Sequence, residues 1–205
     1  MAHQQQPNRL MTNKIILASA SPARKELIKK LYLTAEIMPA DIDETELPRE
    51  LPCQLAQRLS IEKANKIADM INDDCYIIAA DTVAAIGRRI MPKAENSTQI
   101  KECLELYSGR RHKVTTGICV IRKSGNSKIL RKKSVTTALK FKRLTKEEID
   151  YYASLDEGVG KAGGYAIQGY IQAYIAFVSG SVSNVIGLPL LETKNALTSL
   201  GYEFY

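Results

Sequence analysis

The sequence lacks the features that mark a membrane-spanning or secreted protein. No apolar run reaches the length of about 18 residues that indicates a membrane-spanning helix. The first 13 residues contain no apolar core of the kind that a secretory signal has. We therefore expect a flexible polar segment over 1–13, one folded domain over 14–205, a cytoplasmic location and no membrane partner.

Cysteine is scarce and scattered. The four cysteines are Cys53, Cys75, Cys103 and Cys119, and none forms a CxxC pair or a Cys/His cluster. This spacing predicts neither a zinc site nor a disulfide framework, and it favours small apolar core residues in a reducing compartment. The phosphate-binding pattern GxxxxGK[ST] is also absent, so the sequence predicts no Walker loop.

Acidic residues are missing from one long stretch. Residues 122–146 hold ten Lys or Arg and no Asp or Glu, in a chain whose net charge is +7. Such a stretch suits a nucleic-acid surface, a surface that attracts small polyanions, or the solvated face of a hairpin. Nucleic acid is disfavoured, because no aromatic residue interleaves with the charges before Phe141 and no recognition-helix, RRM or KH pattern is present.

The sequence does contain alternating strand and helix patterns. Strand-like runs cover 14–18, 34–39, 75–80, 113–122, 128–141 and 171–179. Helix-like runs cover 22–32, 52–71, 95–107, 145–154 and 189–200. The runs over 113–122 and 128–141 are predicted to form a long hairpin around Ser124-Gly125-Asn126. The order predicts an α/β fold with a mixed central sheet and flanking helices.

The stretch IILASASPARKELIKK, residues 15–30, carries an apolar strand directly into a helix. Ser21 at the N-cap and Pro22 at the first helical position mark the helix start. Free backbone N–H groups and the positive dipole end make this terminus a candidate anion site. Arg24 opposes the dipole, so a bound phosphate would explain its position. A solvent-facing helix residue is the alternative.

Asp81 ends the apolar run that starts at Cys75. Ligands of open α/β sheets bind at the carboxyl ends of strands, which makes Asp81 a candidate site residue. A two-residue turn at Gly87-Arg88 would pair Thr82 with Lys93 and bring Lys93 beside Asp81. A structural salt bridge would explain the same pair.

Two more places carry charge that the local pattern does not explain. Lys63 falls inside the apolar arc of the helix over 55–71, so it either reaches the helix edge or points into a polar cleft. Asp41, Asp43 and Glu44 crowd a loop, where Mg²⁺ or Mn²⁺ would hold the carboxylates together. An ordinary acidic loop is the alternative.

The stretch GKAGGYAIQGY, residues 160–170, combines a lysine with glycines. The Ala-Gly-Gly that follows Lys161 allows close backbone approach or positive φ. Gln168 offers both a donor and an acceptor, as recognition of a nucleobase edge requires.

Eight stretches occur in order between Lys14 and Gly201: LASASPARKELI, DIDET, EKA, AADTV, PK, SGRRHKVTTG, KAGGYAIQG and NVIGLPL. Together they resemble the Maf family of nucleoside triphosphate pyrophosphatases. The resemblance implies two lobes around a deep cleft, as in the related inosine triphosphatases. It also implies hydrolysis of a nucleoside triphosphate to the monophosphate and pyrophosphate with a divalent cation, Mg²⁺ or Mn²⁺, and a homodimer.

The resemblance also assigns roles to residues. It makes Asp81 the general base, Lys63 and Lys93 the cleft lysines, Glu44 the metal-associated acid, and Ser19 and Arg24 the phosphate ligands, with Lys161 also in the substrate site. The specificity positions are Ala23, Thr82 and Gln168. Thr82 and Gln168 match the branch that prefers dTTP and UTP, whereas Ala23 replaces its arginine. Gly160 and Ala94 depart from the aspartate and proline that are usual there.

A non-catalytic nucleotide sensor or septum-formation inhibitor is the alternative function, because family members are linked to septum formation and division arrest. An enzyme with a role in nucleotide-pool sanitation or division arrest is favoured. The reason is that a binder would not need Asp81, Lys93 and Glu44 together.

Overall fold

The structure, a computed structural model, describes residues 14–205, and the segment 1–13 lies outside the described residues. The strands are β1 (Ile15–Leu17), β2 (Ala35–Ile37), β3 (Cys75–Ile86), β4 (Arg89–Ile90), β5 (Arg111–Ser124), β6 (Ser127–Phe141) and β7 (Ile175–Ser179). The helices are α1 (Pro22–Lys29), α2 (Pro52–Met70), α3 (Ser97–Tyr107), α4 (Lys146–Ser154), α5 (Val182–Ile186) and α6 (Leu190–Ser199), with a 3-10 helix over Tyr170–Tyr174. Over these residues no helix is long and apolar enough to span a membrane.

The strands form one mixed sheet in the order β2-β1-β3-β5-β6-β7, with β4 paired to β3. β1 is parallel to β2 and β3, and the other pairs are antiparallel. The long hairpin is confirmed, with Ser124 paired to Ser127. Its turn places Gly125 at φ +55°, a conformation that glycine adopts without strain. The predicted α/β class with a mixed sheet is therefore correct.

Helices cover both faces of the sheet, because neighbouring side chains on β3 point to opposite sides. Ile77 belongs to the cluster that α2 covers with Ala64 and Ile67. Ile78 belongs to the cluster that α1 and α6 cover on the other face. A third cluster around Tyr107 packs α3 and α4 against the start of β5 and the end of β6.

Gly117 on β5 determines how closely α2 approaches the sheet. A Cβ at this position would lie 2.3 Å from the carbonyl oxygen of Ala56, which is backbone and could not move aside. Gly117 is paired with Asp81 in the sheet. The missing side chain thus brings α2 close to β3 beside Asp81.

Three details differ from the expectations. β3 continues past residue 80 to Ile86, because this part of the strand stays paired with β5. Residues 171–174 form part of the 3-10 helix, and the strand predicted over 171–179 begins only at Ile175. Cys53 is exposed in the first turn of α2, whereas the other cysteines are buried as expected.

The basic stretch 122–146 is centred on β6, whose lysines and arginines face solvent. β6 pairs with β7 only from Ala138 onward, so among the described strands its outer edge is open before that residue. Lysine on an open edge hinders pairing with other strands. This arrangement favours the solvated hairpin face.

Candidate active site

Two carboxylates and two lysines lie together where β3 passes the end of β1. Lys63 Nζ lies 2.6 Å from Asp81 Oδ1 and 2.5 Å from Glu44 Oε1. Lys93 Nζ lies 2.5 Å from the other carboxylate oxygen of Glu44. Asp81 and Lys63 are 4% and 6% exposed, and burial of either charge without the other would be costly. We call these four residues the ionic cluster.

The sequence predicted the members of the ionic cluster but misplaced one contact. Lys63 is buried and pairs with Asp81 and Glu44, so it does not extend to the solvent-exposed edge of the helix. Lys93 pairs with Glu44 and not with Asp81. The hairpin turn does pair Ile86 with Arg89, but β4 ends one residue later. Lys93 instead forms a bridge with Ala162, so the predicted pairing of Thr82 with Lys93 is wrong.

The carboxyl group of Glu44 is held ionised by its two lysines. Burial raises its pKa, but the hydrogen bonds and charges of Lys63 and Lys93 outweigh burial and lower the pKa to about 2. Its loop neighbours do not join the cluster. Asp43 accepts hydrogen bonds from Thr45, and the backbone carbonyl oxygen of Asp41 accepts one from Lys66 Nζ. Of the crowded acidic loop over 41–44, Glu44 alone pairs with the cluster lysines.

Across the sheet, neutral groups hold Arg24. Its Nε donates to the carbonyl oxygen of Gly187 at 2.8 Å. Its Nη1 and Nη2 donate to Ser19 Oγ and Thr82 Oγ1, each at 3.1 Å. Desolvation lowers the pKa of Arg24, while the carboxylates of the ionic cluster act in the opposite sense. Arg24 is therefore fixed in the site, and its interpretation as a solvent-facing helix residue is wrong.

The start of α1 presents hydrogen-bond donors. Ser21 caps the helix as predicted, with its hydroxyl accepting from the backbone N–H of Arg24. Ser19 Oγ accepts from the backbone N–H of Ser21 at 3.2 Å and from Arg24 Nη1. Because both lone pairs of Ser19 Oγ are used, this hydroxyl can offer a ligand only its proton. The helix terminus and the Ser19 hydroxyl together suit an anion.

A cleft of about 230 Å³ opens beside these groups. Its wall includes Ala23, Arg24, Thr82, Lys93, Lys161 and Gln168. Every residue that we assigned to substrate binding thus lines the cleft, apart from Ser19, which contacts Arg24. Lys93 belongs to both the cleft wall and the ionic cluster, so the two are continuous.

The sheet leaves space for a ligand at this point. β1 pairs with β3 as far as Ile78, and β4 takes up the same edge at Ala85. Among the described strands, none fills the interval between them. Asp81 and Thr82 lie in that interval and point to opposite faces. A ligand at this edge can therefore be contacted from both sides of the sheet.

The carboxylates fit a divalent cation that arrives with other ligands. Glu44 and Asp81 converge on Lys63, and carboxylate oxygens are ligands that Mg²⁺ and Mn²⁺ prefer. Over residues 14–205, no group of three His, Cys, Asp or Glu side chains surrounds a metal position. The donor set suits a cation bound by one or two carboxylates and completed by phosphate oxygens, as Mg²⁺ commonly is.

Sequence reasoning missed the groups that support the cleft from behind. His112 Nε2 lies 2.8 Å from the hydroxyl of Tyr165, and burial lowers the pKa of His112 to about 4. Thr116 and Asn184 form a buried hydrogen-bonded pair next to Thr82. The stretches SGRRHKVTTG and NVIGLPL contain three of these residues, but their local pattern indicates no partner.

Comparisons with known proteins give relatives over nearly the whole chain. The family model described as Maf-like protein matches residues 14–200. A Rickettsia felis protein named nucleoside triphosphate pyrophosphatase is 57% identical over 192 residues, which cover 93% of this chain and 95% of that protein. A protein of the same name from Rickettsia rickettsii is 58% identical over 189 residues, which cover 92% of this chain and 88% of that protein.

Solved structures with a similar arrangement include two Ham1 proteins. The one from Coxiella burnetii has a TM-score of 0.48 and 15% identity, and the match covers 91% of this chain and 99% of that chain. The one from Staphylococcus aureus has a TM-score of 0.46 and 16% identity over 63% of this chain and 72% of that chain. The family match and the two Rickettsia relatives carry the assignment: this chain belongs to the Maf family.

Proposed function

We propose that this protein is a nucleoside triphosphate pyrophosphatase, which hydrolyses a nucleoside triphosphate to the monophosphate and pyrophosphate. The proposal follows the names of the Rickettsia relatives and the arrangement of charges in the cleft. The observation that carries it is the buried Asp81 carboxylate beside a cleft with Arg24, Lys93 and Lys161 in its wall.

Asp81 is the proposed general base. It accepts a proton from the attacking water and orients that water toward phosphorus. Lys63 holds one carboxylate oxygen of Asp81 at 2.6 Å, which fixes the direction in which the other oxygen points. The bond that breaks joins the α-phosphorus to the bridging oxygen, and pyrophosphate leaves.

The cations of the cleft are the proposed phosphate ligands. Phosphoryl transfer depends mainly on positioning and charge neutralisation, because the transferred group carries several negative charges. Arg24 retains N–H groups beyond the three that the protein uses, and Ser19 retains a hydroxyl proton. Lys161 in the cleft wall adds positive charge, and Lys93, which pairs with Glu44, lies beside it in the same wall. Together with the start of α1, these groups would neutralise a triphosphate.

A divalent cation is part of the proposal, as Mg²⁺ or Mn²⁺. Glu44 and Asp81 are the residues that would hold it, since their carboxylates converge. When bound, such a cation neutralises phosphate charge and polarises the phosphoryl oxygens. Lys63 and Lys93 hold these carboxylates in place when no cation is bound.

The proposed substrate preference is dTTP or UTP, or a modified nucleotide. Thr82 and Gln168 line the cleft as the family pattern requires for that branch, while Ala23 leaves its wall without the usual arginine. We therefore expect a broader preference than the branch shows. The homodimer, the cytoplasmic location and a role in pool sanitation or division arrest stay predictions.

The test is release of pyrophosphate from a panel of NTPs and dNTPs, measured with Mg²⁺, with Mn²⁺ and with EDTA. The expected products are a nucleoside monophosphate and pyrophosphate, identified by chromatography and ³¹P NMR. Appearance of a nucleoside diphosphate and phosphate would contradict the proposed bond cleavage. A lack of turnover across the panel, with nucleotide binding intact, would favour the sensor.

A further inference from the structure

A chain of hydrogen bonds runs from Arg24 into the core on the cleft side of the sheet. Arg24 Nη2 donates to Thr82 Oγ1 at 3.1 Å, and Thr82 Oγ1 lies 2.9 Å from Thr116 Oγ1. Thr116 Oγ1 lies 2.8 Å from the backbone carbonyl oxygen of Asn184. Thr116 and Asn184 are fully buried, and neither lines the cleft.

The protons of this chain can be assigned from the partners alone. A carbonyl oxygen only accepts, so the single hydroxyl proton of Thr116 goes to Asn184. Thr116 must then accept from Thr82, which commits the hydroxyl proton of Thr82. The Thr82 oxygen is left as an acceptor, and it faces the guanidinium of Arg24 with a lone pair. Every bond in the chain points the same way, from Arg24 to Asn184.

Asn184 is itself held without freedom to rotate. Its amide nitrogen donates to the carbonyl oxygen of Val114 at 3.0 Å and to Thr137 Oγ1 at 2.9 Å. Its amide oxygen accepts from the backbone N–H of Thr116 at 3.1 Å. These bonds fix Asn184 in place, and its backbone carbonyl oxygen is therefore a fixed acceptor for the Thr116 hydroxyl. The same segment also supplies the carbonyl oxygen of Gly187 to Arg24 Nε.

We propose that Thr116 is a positioning residue, which aims the Arg24 guanidinium into the cleft by fixing the hydroxyl direction of Thr82. This inference depends on the proposed role of Arg24 as a phosphate ligand. Without the Thr116 hydroxyl, the Thr82 proton loses its acceptor and can turn toward Arg24, where two donors would then face each other. Arg24 would lose one of its three anchors and bind phosphate less well.

The strand offers a matched control. Thr115 is the neighbour of Thr116 and also forms a threonine pair, with its Oγ1 2.8 Å from Thr136 Oγ1. It is buried as well, and it points to the opposite face of the sheet. Thr115→Val and Thr116→Val therefore remove the same group from the same strand. Thr116→Ser keeps the hydroxyl group and should rescue the effect.

The experiment compares these variants by two readouts. The first is solvent exchange of the Arg24 guanidinium N–H groups, including the Nη2–H that donates to Thr82, followed by ¹⁵N NMR, which needs no activity. The second is the Kd for inorganic triphosphate. We expect Thr116→Val to speed the exchange and to raise Kd about tenfold, as loss of a hydrogen bond to a charged group would. Thr115→Val and Thr116→Ser should leave both near the wild-type values.

A double-mutant cycle separates positioning from a general loss of packing. If Thr116 acts through Thr82, the double variant Thr82→Val/Thr116→Val is no worse than Thr82→Val alone. Additive losses, or equal effects of Thr115→Val and Thr116→Val, would overturn the inference. Where Thr116→Val does not fold, Thr116→Ala and Thr115→Ala make the same comparison with a smaller side chain, and only Thr116→Ala should speed the Arg24 exchange. Failure of the wild type to bind or hydrolyse any nucleotide would instead count against the proposed function, and the exchange rates would still decide the inference.

Discussion

Asp81 and Thr82 are neighbours on β3, but the sheet separates them into two different environments. Asp81 faces α2 and enters a cluster in which two lysines meet two carboxylates. Thr82 faces α1 and enters a network of neutral hydrogen-bonding groups around Arg24. One strand thus carries a charge-balanced site and, one residue further along, a site whose cation is hydrogen-bonded to neutral groups.

The difference shows which side is prepared for an anion. In the ionic cluster the positive charges of Lys63 and Lys93 are balanced within the protein. Within residues 14–205, Arg24 and Lys161 have no carboxylate at ion-pair distance. A triphosphate would supply the missing negative charge in the cleft. The ionic cluster instead holds the Asp81 carboxylate in one direction through its hydrogen bond with Lys63, which suits a base.

The largest expected effect on stability comes from breaking the ionic cluster. Lys63→Met leaves Asp81 with an unpaired buried charge and should lower the free energy of unfolding by about 3 kcal/mol. The matched control is Lys101→Met, which breaks a pair of similar length, 2.6 Å, between half-exposed side chains. That change should cost less than about 1 kcal/mol. Urea unfolding measures both, and equal losses would contradict the buried role of Lys63.

The second prediction concerns His112, a buried neutral residue that contacts Tyr165 in the cleft wall. Burial lowers its pKa from 6.5 to about 4, so the folded protein binds this proton less readily than the unfolded chain. The stability present above pH 6.5 should therefore fall as the pH drops from 6.5 toward 4, by roughly 3 kcal/mol in full. Unfolding measured across this range should lose this slope in His112→Asn. A slope that persists in that variant would show that other groups cause it.

The smallest expected effect concerns nucleotide choice at the edge of the cleft. Ala23→Arg adds a cation to a wall that already holds Arg24 and Lys161. It should shift the ratio of kcat/KM values among nucleotides by less than about tenfold, with little change in kcat, because a rim charge acts mainly on binding. Kinetics on the NTP panel measure the ratio. A large loss of kcat for every nucleotide would place position 23 in the chemistry.

Local anomalies in the sequence predicted much of the site. Lys63 on an apolar helix arc and Arg24 in a first helical turn both violate the local pattern, and both side chains belong to the site. The backbone partner of Lys93 could not be predicted. The chain leaves the sheet after β4, and Lys93 then forms a bridge with Ala162, which belongs to a distant segment. Local pattern cannot show such a contact between distant segments.

The contact between Thr116 and Asn184 behind the site could not be predicted from the sequence for the same reason. Thr116 and Asn184 are 68 residues apart and meet only in the folded sheet. A buried threonine or asparagine in a strand or short helix gives no local sign of its partner. The periodicity of strands and helices, in contrast, is local, which is why the mixed α/β class and the β5–β6 hairpin were predicted correctly.

The central claim is that the two faces of β3 have different roles. Asp81 on one face takes part in the chemical step, and Thr82 on the other face supports substrate binding. The most direct test is to measure kcat and KM of Asp81→Asn and Thr82→Val with the nucleotide that the wild type prefers. Asp81→Asn should lower kcat by about three orders of magnitude with KM nearly unchanged, as removal of a general base does. Thr82→Val should mainly raise KM. Near-wild-type turnover in Asp81→Asn, or loss of the same parameter in both variants, would contradict the account.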